Sequence, residues 1–157
     1  MKGNPKVIRA LQEALKAELG AINQYFVHAE MRENWGYHRL AEITKKHAIG
    51  EMKHAEKLIE RILFLEATPQ MELFKINIGD TVKKQLEIDL ALEYDAVKKY
   101  NESIKTCLEQ GDGASRELFE DLLGNEEEHV DFLEAQLHII NEVGIENYLS
   151  EQIKGKD

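Results

Sequence analysis

The stretch HAIGEMKHAEKLIERI, residues 47–62, predicts an amphipathic helix whose apolar face carries a carboxylate and an imidazole. Glu51 and His54 are three positions apart, so both side chains project from one face of a helix. Leu58 and Ile62 continue that face at helical spacing. A carboxylate is costly to bury unless it is neutralised or paired. The stretch therefore predicts a polar site inside a helical core.

The same pattern occurs a second time in the chain. Glu126 and His129 repeat the spacing of the first pair, and each pair is preceded by a single glutamate in the middle of an apolar stripe. Glu51 follows Glu18 by 33 residues, and Glu126 follows Glu93 by 33 residues. No lysine or arginine shares these mid-helix stripes. The repeat predicts two helical hairpins built to one plan.

The positions of glycine and proline between apolar stripes of helical spacing predict an all-α fold in one domain, residues 1–157. The links near residues 36 and 112 are short, as antiparallel helical neighbours require. Residues 67–79 can extend for about 45 Å, which is enough to run along a helix of about 40 Å. This predicts a four-helix bundle with one long crossover and a short fifth helix at the C-terminal end. The predicted helices cover approximately residues 5–35, 38–66, 80–110, 114–143 and 145–153.

Composition excludes several classes of partner and compartment. The 20 basic and 30 acidic residues give a formal charge of −10, which is the wrong sign for binding nucleic acid. Cys107 is the single cysteine, so neither an intrachain disulfide nor a paired-cysteine metal site is possible. The sequence contains no run of about 18 apolar residues, so it predicts no membrane span. We therefore expect a cytoplasmic protein without nucleic-acid or membrane partners.

Four carboxylates and two imidazoles at similar heights in a bundle would form an oxygen-rich metal site. Such donors suit iron or manganese, and two divalent ions would balance the four carboxylates. Tyr25 lies two turns beyond Glu18 on the same stripe. It is either a hydrogen-bond partner of a ligating carboxylate or an ordinary half-buried aromatic. The alternative for the whole set is a helical scaffold whose polar core residues set the register of the helices.

The chain resembles the bacterioferritins over its whole length. The likeness is carried by MKG at residues 1–3, AINQYF at 21–26, EMKHA at 51–55, RILFLE at 61–66 and ENYL at 146–149. The resemblance implies that the ferroxidase ligands of two irons per chain are Glu18, Glu51, His54, Glu93, Glu126 and His129. It implies that Glu51 and Glu126 bridge these irons. It further implies oxidation of Fe(II) by O2 or H2O2 and storage of ferric mineral in a shell of 24 chains built from dimers.

Met52 lies about 100° round the helix from Glu51 and points outward. Spacing alone favours a surface or dimer-interface methionine. The resemblance implies an axial ligand of haem b, shared between two chains across a two-fold axis, with Leu19, Asn23 and Phe26 nearby. A reductant such as a ferredoxin would then be the partner for iron release.

Three positions depart from the commoner pattern of the family, and a histidine occurs one residue away from where some members have one. Lys45 stands where many members carry an aromatic residue near the haem. Lys46 and Gly50 stand where some have a histidine and an aspartate that form an iron site on the inner surface. His47 lies on the core stripe, one residue from the expected histidine, and we expect it to be buried or inward-facing and not a ligand.

Three neighbouring classes are the alternatives. A haem-free bacterial ferritin would share the ligands, and Met52 argues against it. A di-iron oxidase or peroxidase that stores nothing is a second possibility, but rubrerythrin-like examples carry a cysteine-rich iron module that one cysteine cannot form. A DNA-protecting miniferritin would take its ligands from two chains, and no basic tail is present here.

Overall fold

The computed structural model describes residues 1–72 and 75–154, and in these ranges it contains helices and no strand. The helices are α1 (Pro5–Asn34), α2 (His38–Phe64), α3 (Val82–Glu109), α4 (Gly113–Val143) and α5 (Ile145–Ser150). Residues 73–74, in the predicted crossover, and 155–157, at the end of the predicted domain, lie outside the described residues. No described helix combines the length and apolarity needed to cross a bilayer. The predicted all-α class is confirmed.

The starts of three long helices are set by side-chain caps. Asn4 accepts a hydrogen bond from the Lys6 amide, and Pro5 occupies the first helical position of α1. Thr81 caps α3 in the same way, so α3 begins at Val82, two residues later than predicted. Asp112 accepts from the Ser115 amide and begins α4 at residue 113. These caps satisfy amide groups that have no partner within the helix.

Two of the predicted helix ends extend two or three residues too far, and those of α1 and α3 extend one residue too far. The α2 helix ends at Phe64 and not at residue 66, because Glu66 adopts a positive φ of 62° that the helix cannot continue. The α5 helix ends at Ser150 and not at residue 153, with Glu151 as its cap. The hairpin turns contain Gly36 (φ 89°) and Gly111 (φ 72°), where a left-handed conformation favours glycine.

The order of cross-helix contacts gives the topology. Tyr25 contacts Glu93, whereas Arg32, further along α1, contacts Gln85, which is earlier in α3. Helices α1 and α3 are therefore antiparallel. Each also runs antiparallel to its hairpin partner, so α2 and α3 are parallel. The four-helix bundle with one long crossover and a short fifth helix is confirmed.

Two apolar clusters lie at opposite ends of the bundle. The first contains buried residues from all four long helices: Val7, Leu11, Ala14, Leu15, Ala55, Leu58, Ile62, Leu65, Tyr100, Cys107, Phe119 and Leu122. The second joins the other ends of the helices to α5: Leu40, Val82, Leu86, Leu133, Ile140 and Tyr148. Buried polar residues occupy the length between them. Apolar packing at both ends therefore encloses a polar middle.

Asp89 is the centre of one buried polar network between α1 and α3. Its Oδ1 accepts a hydrogen bond from Gln24 Nε2 at 2.9 Å and lies 2.9 Å from His28 Nδ1. Its Oδ2 accepts from Arg32 Nη2 at 3.3 Å. Asp89, His28 and Arg32 are at most 2% exposed. The buried guanidinium and carboxylate thus neutralise each other away from water.

The end of the crossover is attached to this network. The Gly79 amide donates to His28 Nε2 at 3.1 Å, so His28 uses its other ring nitrogen to donate to Asp89. The Gly79 carbonyl accepts from Gln85 Nε2 at 3.1 Å. A side chain at residue 79 would bring a Cβ within 2.6 Å of the Gln85 amide nitrogen. Glycine is therefore required where the crossover meets α3.

We predict that Asp89→Ala lowers the free energy of unfolding by about 3–5 kcal/mol, because it leaves Arg32 charged, buried and unpaired. Chemical denaturation at one fixed protein concentration measures the loss. The matched control is Lys99→Ala, which removes an exposed ion pair with Asp95 and should cost less than about 1 kcal/mol. Equal losses in the two variants would contradict this account of the network.

Candidate metal centre

Six predicted site residues lie in the middle of the four long helices. Each hairpin contributes three of them, one glutamate from its first helix and a glutamate and histidine from its second. The residues are Glu18 on α1, Glu51 and His54 on α2, Glu93 on α3, and Glu126 and His129 on α4. The four carboxylates are each at most 2% exposed. The bundle therefore encloses these carboxylates almost completely.

The side chains converge in two groups that could each hold a metal ion. One group contains Glu18, Glu51, His54 and Glu126, and the other contains Glu51, Glu93, Glu126 and His129. Within each group, one donor atom per residue lies within 4.8 Å of all the others. Glu51 and Glu126 belong to both groups. The arrangement thus has two cation positions with two carboxylates in common.

The shared carboxylates direct one oxygen to each histidine. His54 Nδ1 lies 3.1 Å from Glu51 Oε2 and 3.1 Å from Glu126 Oε1. His129 Nδ1 lies 3.0 Å from Glu51 Oε1 and 3.1 Å from Glu126 Oε2. The same nitrogen of each imidazole therefore faces the carboxylates. Glu18 Oε2 lies 3.7 Å from His54 Nδ1, and Glu93 Oε1 lies 3.6 Å from His129 Nδ1.

Burial disfavours the charged form of these carboxylates. Burial and the neighbouring Glu18 raise the pKa of Glu51 to about 7. Burial and a hydrogen bond with Glu126 raise the pKa of Glu93 to about 8. Burial also raises the pKa of Glu18. Without a cation, the site therefore retains protons at neutral pH.

The pKa values of the two imidazoles are raised as well, which favours their charged form. Burial lowers the pKa of His54, but hydrogen bonds with Glu126, Glu18 and Glu51 outweigh burial and raise it to about 12. Burial lowers the pKa of His129 as well, and hydrogen bonds with Glu126, Glu51 and Glu93 raise it to about 12. The two imidazolium groups thus partly compensate the carboxylates when no metal is bound.

The polar atoms of the site fit divalent cations. Glu18 Oε2 and Glu51 Oε1 are buried without a hydrogen-bond partner, although His129 Nδ1 approaches the latter to 3.0 Å. Across residues 1–72 and 75–154, no lysine or arginine forms a salt bridge with the four carboxylates. Unpaired carboxylate oxygens beside imidazole nitrogens are the donors that iron and manganese accept.

Two tyrosines donate to the outer glutamates of the site, Glu18 and Glu93, which each belong to only one donor group. The Tyr25 hydroxyl donates to Glu93 Oε1 at 2.5 Å, and the Tyr100 hydroxyl donates to Glu18 Oε1. Burial raises the pKa of both hydroxyls well above 10, so both remain donors. Tyr100 was not among the predicted site residues. Its position seven residues after Glu93, like that of Tyr25 after Glu18, was the available signal.

A small cavity of about 20 Å³ reaches the carboxylates from between α1 and α3. Its volume is comparable to the space of one water molecule. The exposed Asp95 lies among the lining residues, and the other residues that line it are small or apolar or belong to the site: Ala17, Glu18, Ala21, Glu51, Leu92, Glu93, Ala96 and Glu126.

His47 lies beside the site but in neither donor group. It is half-buried, and its ring centroid is 4.6 Å from that of His129 and 5.1 Å from that of Phe132. Burial, with the nearby His129, lowers its pKa to about 4. A neutral imidazole packed against the His129 and Phe132 rings fits the place of His47 on the core stripe.

Met52 lies away from the carboxylates, on the outward face of α2. It is 50% exposed, and the apolar side chains Ile49 and Phe26 are 46% and 52% exposed. Lys45 and Lys46 are exposed as well. Met52 and Ile49 of α2 and Phe26 of α1 thus present a soft thioether and two apolar side chains to solvent.

Comparisons with known proteins agree with this geometry. A family model described as a ferritin-like domain matches residues 8–143. The bacterioferritin of Brucella melitensis is 48% identical, and the match covers 94% of this chain and 92% of that protein. Bacterioferritins of Mycolicibacterium paratuberculosis and Rhodobacter capsulatus are 44% and 45% identical, over 94% of this chain and over 94% and 92% of their own lengths. The chain belongs to the bacterioferritin family of ferritin-like proteins.

Proposed function

We propose that this chain stores iron and acts as a ferroxidase, oxidising Fe(II) with O2 or H2O2. The observation that carries the proposal is the pair of shared carboxylates. Glu51 and Glu126 each offer one oxygen to the His54 side and one to the His129 side. Two Fe(II) ions bound there would lie close enough to deliver electrons to one oxidant. Membership of the bacterioferritin family supports iron storage as the role.

Charge balance supports two ions per chain. Four buried carboxylates carry four negative charges when ionised, and two divalent cations cancel them without help from the imidazolium protons. His54 and His129 would release those protons and offer neutral Nδ1 atoms as ligands. The six proposed iron ligands are therefore Glu18, Glu51, His54, Glu93, Glu126 and His129.

The electrons that reduce the oxidant come from the Fe(II) substrate itself. Two Fe(II) ions lose one electron each, and O2 takes both electrons with two protons to become H2O2. When H2O2 is the oxidant, it takes two electrons and two protons and becomes water. The protein positions the two ions, excludes bulk water and admits the small oxidant through the cavity between α1 and α3. Tyr25, through Glu93, would hold an outer ligand in place.

We further propose that chains assemble as dimers into a cytoplasmic shell of 24 that holds the ferric mineral. Family membership supports an oligomeric shell. The formal charge of −10 per chain favours cations as cargo. The chain would act as a single ferritin-like domain. Helix α5 belongs to it because Tyr148 packs in the second apolar cluster.

We propose that Met52 would hold haem b at a dimer interface, with its thioether as a ligand of the haem iron. A half-exposed thioether beside exposed apolar side chains fits a soft ligand for a flat, apolar group shared by two chains. Leu19, Asn23 and Phe26 would contribute to its surroundings. Haem bound there supplies one-electron transfer, which serves the return of electrons from a reductant such as a ferredoxin to stored iron.

The first test is the stoichiometry of aerobic Fe(II) oxidation by iron-free protein. We expect a rapid phase that saturates at about two irons per chain. Glu126→Ala should abolish this phase, because it removes an oxygen from both cation positions. Stopped-flow absorbance of ferric iron measures the amplitude.

The matched control is Glu127→Ala, which removes a neighbouring exposed carboxylate of the same helix. Its rapid phase should equal that of the unaltered protein. Absence of a saturable phase in the unaltered protein would leave the six residues as a structural cluster. Saturable oxidation by a monomer or dimer that retains no mineral would instead favour a non-storing oxidase.

The second test uses pH and metal together. Glu51 and Glu93 have pKa values of about 7 and about 8 in the fold, against an ordinary 4.5, so the folded protein holds protons that the unfolded chain has lost. The pKa values of His54 and His129 are raised to about 12 from 6.5, so these imidazoles also hold protons that the unfolded chain loses. Stability of the metal-free protein should therefore fall as pH rises from 6 to 8.5.

Anaerobic Fe(II) should raise the thermal midpoint by about 5 °C or more at pH 8.5 and by less at pH 6, where protons compete for the ligands. Thermal melts followed by circular dichroism give the midpoints. A midpoint that Fe(II) leaves unchanged at both pH values would argue against the site.

The third test concerns haem. Reconstitution with haem b should give a Soret band whose intensity saturates at one haem per two chains, and Met52→Leu should shift the band and weaken binding, because it removes the thioether. Met71→Leu is the control, since Met71 is an exposed methionine in the crossover. Equal binding by the Met52→Leu variant would overturn Met52 as the haem ligand. Absence of a Soret band from the reconstituted unaltered protein would favour a haem-free ferritin.

A further inference from the structure

A tyrosine follows each outer glutamate by the same number of residues. Tyr25 comes seven residues after Glu18, and Tyr100 comes seven residues after Glu93. Seven residues are about two turns of helix, so each tyrosine lies on the same face as its glutamate. Because α1 and α3 run antiparallel, each hydroxyl reaches the glutamate of the other helix. The two hydrogen bonds cross between the hairpins.

The two oxygens of Glu18 have different surroundings. Oε1 accepts the hydrogen bond from the Tyr100 hydroxyl. Oε2 is buried without a hydrogen-bond partner and lies 3.7 Å from His54 Nδ1. A hydrogen bond to one carboxylate oxygen fixes the rotation of the group, and this leaves the other oxygen aimed at the cation position beside His54.

Tyr100 itself is held rigidly. It is 2% exposed, and its ring centroid lies 5.8 Å from that of Phe119 in the first apolar cluster. Ala10 and Ala14 of α1 line the outer cleft behind it. The ring therefore keeps its place if only the hydroxyl is removed.

We propose that Tyr100 is a positioning residue for Glu18, which it orients as a ligand of the cation beside His54. Tyr25 has the corresponding relation to Glu93 and the cation beside His129. The inference rests on the proposed cation site and assigns one tyrosine to each half of it. Loss of either hydroxyl should weaken one cation position and spare the other.

The experiment is a titration of metal-free protein with Co(II), followed by visible absorption of the bound ion. The unaltered protein should bind two Co(II) per chain. Tyr100→Phe should weaken one of them about tenfold and leave the other unchanged. Tyr94→Phe is the matched control, because the Tyr94 hydroxyl donates to Glu134 on the surface, and both of its Co(II) affinities should be unaltered.

A coupled variant separates positioning from packing. Glu18→Ala should itself weaken binding of the same Co(II). Adding Tyr100→Phe should then cause no further loss, because the hydroxyl has no carboxylate to orient. A role in packing alone would give the same tenfold loss in both backgrounds. Thermal melts of the metal-free variants check that each is folded.

Two results would overturn the inference while leaving the proposed function intact. One is a Tyr100→Phe variant with both Co(II) affinities equal to those of the unaltered protein. The other is a full loss that persists in the Glu18→Ala background. Failure of the unaltered protein to bind two Co(II) would overturn the proposed function and this inference together.

Discussion

The mutual repulsion of four buried carboxylates is the constraint on which this bundle depends. Glu18, Glu51, Glu93 and Glu126 share one enclosed volume in which water cannot screen them. Two imidazolium groups offset part of the repulsion, and apolar clusters at both ends of the bundle hold the helices together around it. The middle of the bundle therefore has less apolar packing and contains two groups of donors that could hold metal ions.

Sequence reasoning reached the architecture because its signals are periodic. Glutamates recur at mid-stripe positions, the hairpins repeat at 33 residues, and a link of 13 residues can span the bundle. Helix ends were less predictable, since the positive φ of Glu66 ends α2 before Pro69 could. The periodic pattern indicates which face a residue occupies but not which residue it meets across the core.

That difference explains what sequence reasoning missed. Tyr100 was visible as a core position of α3, yet its hydrogen bond to Glu18 depends on the antiparallel approach of α1 and α3. The network around Asp89 was likewise absent from the predictions, because its members come from three separate parts of the chain. The site glutamates and histidines were easier to find, since burying acidic residues without basic neighbours is unusual in any core.

Neither hairpin contains a complete cation position. The first supplies Glu18, Glu51 and His54 but takes Glu126 from the second, and the second supplies Glu93, Glu126 and His129 but takes Glu51 from the first. The two halves are equivalent in donors and spacing. One hairpin, paired with its own copy about a two-fold axis, would therefore possess the same set of donor residues for both candidate cation positions. The crossover converts that symmetric pair into one chain, in which the halves can diverge independently.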